Sequence, residues 1–209
     1  MKGLIGKKIG MTQIYDDNGV LTPVTVIQAG PCTVVDVKTV ERDGYSSVLL
    51  GFGKRKEKNV GKAVAGQAKA AKLEDVPASM HEFRFNDDSK CEIGSTFDAS
   101  VFAEGEFLDI TGITKGRGFS GVMVRWHFGG GRDGHGGGWH RKPGSIGCRE
   151  TPGNIIKGKK MPGQLGNVKR TVQNLRIMKI DAERSLIFVS GAIPGANGGT
   201  VLVKKAKKK

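Results

Sequence analysis

Between Gly112 and Arg170 the chain reads GITKGRGFSGVMVRWHFGGGRDGHGGGWHRKPGSIGCRETPGNIIKGKKMPGQLGNVKR, and no self-sufficient packed domain is written this way. Of these 59 residues 17 are glycine, 12 are lysine or arginine, and Asp133 and Glu150 are the only acids, so the stretch carries +10. No apolar periodicity follows Phe128. Fixing a backbone costs roughly 1–2 kcal/mol per residue, and a stretch this poor in buriable surface cannot offset that from its own contacts. It is either disordered alone or ordered by a polyanion, and RNA is the polyanion that fits.

Charge is concentrated, not spread. The terminal Lys204-Lys205-Ala206-Lys207-Lys208-Lys209 adds five cations, and everything outside these two segments sums to −1 against a whole-chain charge of +14. Two basic patches on an otherwise balanced chain are a footprint for nucleic acid or an anionic membrane. Neither patch has the Leu and Phe stripe of an interfacial helix, and no run approaches the roughly 18 apolar residues of a spanning helix, which disfavours the membrane. Cys32, Cys91 and Cys148 are odd in number and form no Cys-x-x-Cys pair, so a reducing, cytoplasmic setting is expected, with neither a disulfide framework nor a zinc site. The opening MKGLIGKKIGMTQIYDD has no continuous apolar run and turns acidic early, so neither an export signal nor a transit peptide is expected.

The flanks of the glycine-rich stretch read as short β-prone runs between turns. Met11 to Tyr15 and Leu21 to Ala29 flank Asp16-Asp17-Asn18-Gly19; Cys32 to Val40 and Ser46 to Phe52 flank Glu41-Arg42-Asp43-Gly44. Lys54 to Lys72 is Lys- and Ala-rich, a short exposed helix or a loop that is either solvated or set against a phosphate backbone. Strand runs resume at Met80 to Phe85, before the turn Asn86 to Lys90, and again at Glu106 to Thr111, Thr171 to Ile180, Leu186 to Ser190 and Thr200 to Val203, with a turn at Asp181 to Arg184. The expectation is a mainly β chain. A small closed barrel, which removes exposed sheet edges, would comprise residues 1–53, 96–115 and 171–209, with an inserted segment at 54–95 and an extension at 116–170 whose flanking strands pair across its base.

Two glycine motifs invite an enzymatic reading. Gly116 to Val122 fits G-x-G-x-x-G-x-V, but no βαβ unit follows with an acid about 20 residues on, and no kinase motifs accompany it. Gly153 to Lys160 nearly spells a P-loop, but Lys160 stands where a magnesium-binding hydroxyl is needed and Met161-Pro162-Gly163 stops the helix that should follow. His127, His135, His140 and Cys148 match no zinc module. No Ser/His/Asp or paired-carboxylate arrangement can be defended. Neither cofactor, metal nor small-molecule substrate is expected. The same residues make sense as an RNA surface. Glycines let backbone approach phosphates, with Lys115 and Arg117 as charge partners, while Arg125, Arg132, Arg141 and the three histidines serve as donors, and Trp126, Phe128 and Trp139 stack on bases. Trp126 has an alternative role: with Phe119, Val122 and Val124 nearby, it would belong to a short helix or strand at the root of the extension and pack on the core. The remaining candidate RNA contacts are Lys7, Lys8, Lys142, Ser145, Arg149, Lys157, Lys159, Lys160, Gln164, Lys169 and Arg170.

Three blocks carry a family resemblance: Gly3 to Thr12 (GLIGKKIGMT), Asp109 to Trp126 (DITGITKGRGFSGVMVRW), and His140 to Asn167 (HRKPGSIGCRETPGNIIKGKKMPGQLGN). Together they resemble the bacterial-type members of the L-three family of large-subunit ribosomal proteins, from Lys2 to about Lys204. The resemblance implies a translation-factor-type β-barrel and binding to 23S-type ribosomal RNA near its 3′ end. It also implies a part in nucleating subunit assembly and an extension toward the peptidyl transferase centre, with proteins L-fourteen and L-nineteen as neighbours. It places Gly144, Ser145, Ile146, Gly147, Cys148, Arg149, Glu150, Thr151 and Pro152 at the extension's tip. Some members carry a methylated glutamine where this chain has Glu150, and many carry Lys where it has Val124, so one modification and one phosphate contact are absent. A free RNA chaperone and a nucleotide-binding enzyme are the rival readings.

Overall fold

The structure, a computed structural model, describes residues 3–16, 19–84 and 91–208. Asp17 and Asn18 of the first expected turn, Phe85, and the expected turn at residues 86–90 lie outside the described residues. The elements in chain order are β1 (Gly3–Tyr15), β2 (Leu21–Ala29), β3 (Cys32–Lys38), α1 (Val40–Asp43), β4 (Ser47–Arg55), α2 (Lys62–Ala70), β5 (Val76–Arg84), β6 (Thr96–Phe97), β7 (Phe107–Ile113), β8 (Phe119–Ser120), α3 (Val122–Trp126), β9 (Gly163–Gln164), β10 (Lys169–Asp181), β11 (Leu186–Ser190) and β12 (Thr200–Lys205). They divide into two compact units, one of Met1–Ile113 with Lys169–Lys209 and one of Thr114–Val168.

In the larger unit six antiparallel strands pair in the order β1-β12-β7-β10-β11-β2, and β2 pairs with β1 again, so each strand has two neighbours. The mainly β expectation holds. Period-two alternation puts Leu4 and Ile5 on opposite faces of β1, and both are fully buried, as are Ile27, Leu108, Ile110, Ile177 and Ile187 in the same core. At roughly 1.5–3 kcal/mol per buried Leu or Ile side chain, this cluster is the main source of the unit's stability.

A second sheet, in the order β5-β4-β3-β6, adds Val34, Val48, Leu50 and Phe83 to the same core. Here the structure redraws the expected boundaries. The hairpin of β3 and β4 is present, and its expected turn is a single helical turn closed by Gly44 at φ +80. However, β3 and β4 do not join the six-stranded cycle, and β4 runs across the expected boundary at residue 53. Local alternation specifies a hairpin but not which sheet receives it. Lys54 to Lys72 is helical where α2 lies; Ala68 and Ala71 are buried while its lysines face solvent.

Where β10 passes β7 its register shifts between Val172 and Leu175. Asn174 there has φ +57 and donates its N–H to Asp109 Oδ1 at 3.0 Å. Below this bulge the pairing resumes to its last rung, Ile113 opposite Lys169, and the chain departs into and returns from the second unit at that rung.

Candidate nucleic-acid interface

Thr114 ties the base of the second unit. Its N–H donates to Val168 O (3.0 Å), its carbonyl accepts from Asn167 N–H (3.1 Å), and its hydroxyl donates to Val168 O (3.2 Å) while accepting from Val168 N–H (3.3 Å). Arg117 N–H to Leu165 O (2.8 Å) and Leu165 N–H to Gly118 O (2.9 Å) continue the ladder into the β8–β9 pair. Gly166, at φ +73, can only be glycine, because a Cβ there would strike the Lys115 carbonyl.

Beyond the ladder, α3 turns the chain. His127, left-handed at φ 60, ends it by donating its N–H to Met123 O at 2.9 Å. Arg125 Nη1 and Trp126 Nε1 both donate to Met161 O at 2.8 Å, fastening α3 to the returning chain just before β9. The Arg125 guanidinium lies 5.1 Å and the Lys160 ammonium 5.8 Å from the Trp126 ring centre. The indole N–H of Trp126 is thus bound within the unit, while 38% of the residue's surface is exposed.

From His127 to Pro162, all of it described, there are turns and bends but neither helix nor strand. Gly131 N–H meets Trp139 O at 3.2 Å, and His140 Nδ1 lies 3.2 Å from Asp133 Oδ1. Lys142 Nζ sits 4.8 Å from the Trp139 ring centre. In the expected tip, residues 144–152, every residue is exposed, and Ser145 Oγ donates to Gly147 O at 3.3 Å. Val122 is the only buried apolar side chain among the described residues of the unit, and Phe119 and Val124 are 79% and 46% exposed.

Among the predicted contacts Lys115, Arg117, Trp126, His127, Arg132, His135, Trp139, His140, Arg141, Lys142, Ser145, Arg149, Lys157, Lys159, Lys160 and Gln164 are exposed in the second unit, and Arg125 is half-buried. In the larger unit Lys7 is exposed on β1, and Lys169 and Arg170 are exposed at the start of β10. Lys8 is a correction. It is 7% exposed, and its ammonium donates to Ile193 O and Gly195 O, both at 3.1 Å, so it holds the fold together instead of facing RNA. Sequence reasoning also missed His81. It packs edge-on against Phe83, 5.1 Å between ring centres, with Lys204 Nζ 5.4 Å from that same ring. Burial, then Lys204 and Lys169, push its pKa down; burial, then Lys169 and Lys207, lower that of Lys204. In this group Lys169 and the tail lysines had a sequence signal; His81 had none.

The profile of the ribosomal protein L3 family matches residues 79–186, more than half of the chain. The chain belongs to this family. It is 49% identical over 210 residues, 99% of each chain, to the large ribosomal subunit protein uL3 of Citrifermentans bemidjiense. It is 47% identical over 207 residues to that of Pelotomaculum thermopropionicum, covering 99% of this chain and 98% of the relative. Against the uL3 protein of Thermosipho melanesiensis the figure is 49% over 208 residues, the whole of both chains.

Proposed function

We propose that this chain is a structural constituent of the large ribosomal subunit, bound to ribosomal RNA and to neighbouring large-subunit proteins, and that it is not an enzyme. The observation that carries the RNA reading lies in the second unit. Among its described residues no lysine or arginine forms an ion pair, although Lys115, Arg117, Arg125, Arg132, Arg141, Lys142, Arg149, Lys157, Lys159 and Lys160 all belong to it. Uncompensated cations on glycine-rich backbone need an external polyanion, and full-length similarity to uL3 proteins names the class.

The finer reading extends this. The six-stranded cycle is a closed barrel of the translation-factor type, and residues 116–170 are the RNA-penetrating segment, with residues 144–152 at its tip near the peptidyl transferase centre. Binding lies near the 3′ end of a 23S-type RNA, early enough to nucleate assembly, beside proteins L-fourteen and L-nineteen in the cytoplasmic ribosome. Arg125 and Trp126, fixed on Met161, present a cation and a ring in one place, which suits a phosphate next to a stacked base.

Binding of the full chain to ribosomal RNA across a salt series tests this. If about 8 cations neutralise phosphates, the log–log slope is about −5 to −7, and replacing Lys157, Lys159 and Lys160 together by Ala flattens it by about 2. A slope indifferent to that triple change would mean that these lysines are merely solvated.

A further inference from the structure

Within the second unit Phe128, Gly129, Gly130, Gly131, Trp139, Lys142, Pro143 and Gly144 line a cleft of about 480 Å³. Its size lies within the roughly 300–1,000 Å³ of small-ligand sites, too small for a helical segment of RNA but adequate for one nucleotide. Two aromatic side chains contribute to its walls. Trp139 is 58% exposed, so its ring is not committed to a core, and the Lys142 ammonium is placed 4.8 Å from it. A third part of the lining is bare backbone. Gly130 takes φ +74 where a Cβ would collide with the His140 carbonyl, so this wall comes close only because it lacks side chains. Among the described residues no hydrogen bond within the chain uses the N–H of Gly129 or Gly130, which leaves both for a ligand.

From this geometry we propose that the cleft binds a single unstacked nucleotide of RNA, its base against Trp139 and Phe128, its phosphate on Lys142 and its polar edge on the Gly129–Gly130 backbone. The chemistry is that of single-strand recognition: any base has a face to stack, while a paired base in a duplex cannot enter. A free mononucleotide would gain little, because the cleft is open and one phosphate contact is weak at physiological salt. The occupant is therefore a bulged or looped-out residue of a longer RNA held by the surrounding cations. The inference rests on the proposed RNA-binding function and assigns this cleft a distinct part in it.

The test uses the full chain and three hairpin RNAs of equal length: one fully paired, one with a single bulged adenosine, and one with an abasic residue at the bulge. The bulged hairpin should bind more tightly than the other two, by about 5- to 160-fold, the range of one stacked base. Trp139→Ala should abolish that preference, whereas Trp139→Phe retains most of it. Lys142→Ala should reduce affinity for all three and flatten the salt slope by roughly 1. In a Trp126→Phe background the remaining Trp139 fluorescence should be quenched by the bulged hairpin alone. Equal, salt-dependent binding of all three hairpins by the unsubstituted chain would overturn the cleft assignment and leave RNA binding standing. Binding of none would overturn both.

Discussion

Lys8→Met separates a lysine that holds the fold from one that holds RNA. Methionine keeps most of the apolar stem and removes the ammonium, which donates to Ile193 O and Gly195 O at 3.1 Å from a side chain only 7% exposed. A hydrogen bond from a charged donor contributes about 1.5–3 kcal/mol, and each carbonyl left without a partner away from water costs about 1–3 kcal/mol. Some of this is recovered, because the ammonium no longer has to be desolvated and water can reach the less buried Gly195 carbonyl. The net loss should be about 2–4 kcal/mol, a large share of the roughly 5–15 kcal/mol typical of a domain. Urea unfolding followed by circular dichroism should show a lower midpoint with an unchanged slope, and the salt dependence of RNA binding by the folded variant should be unaltered. An unchanged midpoint together with a salt slope flattened by about 1 would refute the structural assignment and restore Lys8 to the RNA surface.

Gly166→Ala places a Cβ against the Lys115 carbonyl at φ +73, costing about 1–2 kcal/mol in backbone strain and weakening the neighbouring ladder; hydrogen exchange at Arg117 and Leu165 should accelerate at least tenfold while β7 and β10 stay protected, and equal acceleration throughout would contradict this. Glu82 accepts from Ser47 Oγ at 2.6 Å and Lys38 Nζ at 3.0 Å, and hydrogen bonds from Ser47, Tyr45 and Lys38 hold its pKa down to about 2. Because the folded value lies below the unfolded one, its contribution is present above about pH 4.5 and is lost as pH falls toward 2; Glu82→Gln should cost about 1 kcal/mol at pH 7 and make little difference at pH 2, and an equal cost at both would contradict this. Gly144→Asp or Arg149→Ser should leave subunits assembled and active but change their sensitivity to inhibitors of the peptidyl transferase centre, and unaltered inhibitor binding in subunits that contain the variant would remove residues 144–152 from that neighbourhood.

The strands around the glycine-rich stretch were legible because they combine alternation with turn chemistry. β10 and β11 were read with Asp181 to Arg184 between them, and the pairing of Ile113 with Lys169 follows once the chain must leave and return. The membership of β3 and β4 in a second sheet was not legible, since it depends on β5 and β6, which are distant in sequence. Lys8 was misread because a Lys-Lys pair in a basic chain suggests solvent. The period-two rule does put Lys8 on the face of Gly6, opposite Lys7 and Ile9, but the carbonyls that receive it lie 185 and 187 residues away. The cations and aromatic residues of the second unit were visible as a composition. Their grouping was not: Met161 O gathers Arg125 and Trp126 across 35 residues or more, and a left-handed Gly130 admits the Trp139 segment. Such arrangements follow from backbone turns that no short motif encodes.

The central claim, that the chain is a permanent part of the large ribosomal subunit, is tested most directly by sedimenting large subunits from cells expressing the tagged full chain through a high-salt cushion. It should pellet with the subunits at about one copy each, remain through the salt wash, and resist proteolysis between Phe128 and Arg170 while bound. Release into the supernatant under those conditions, or substoichiometric binding that vanishes with salt, would contradict the claim and favour a transient RNA chaperone.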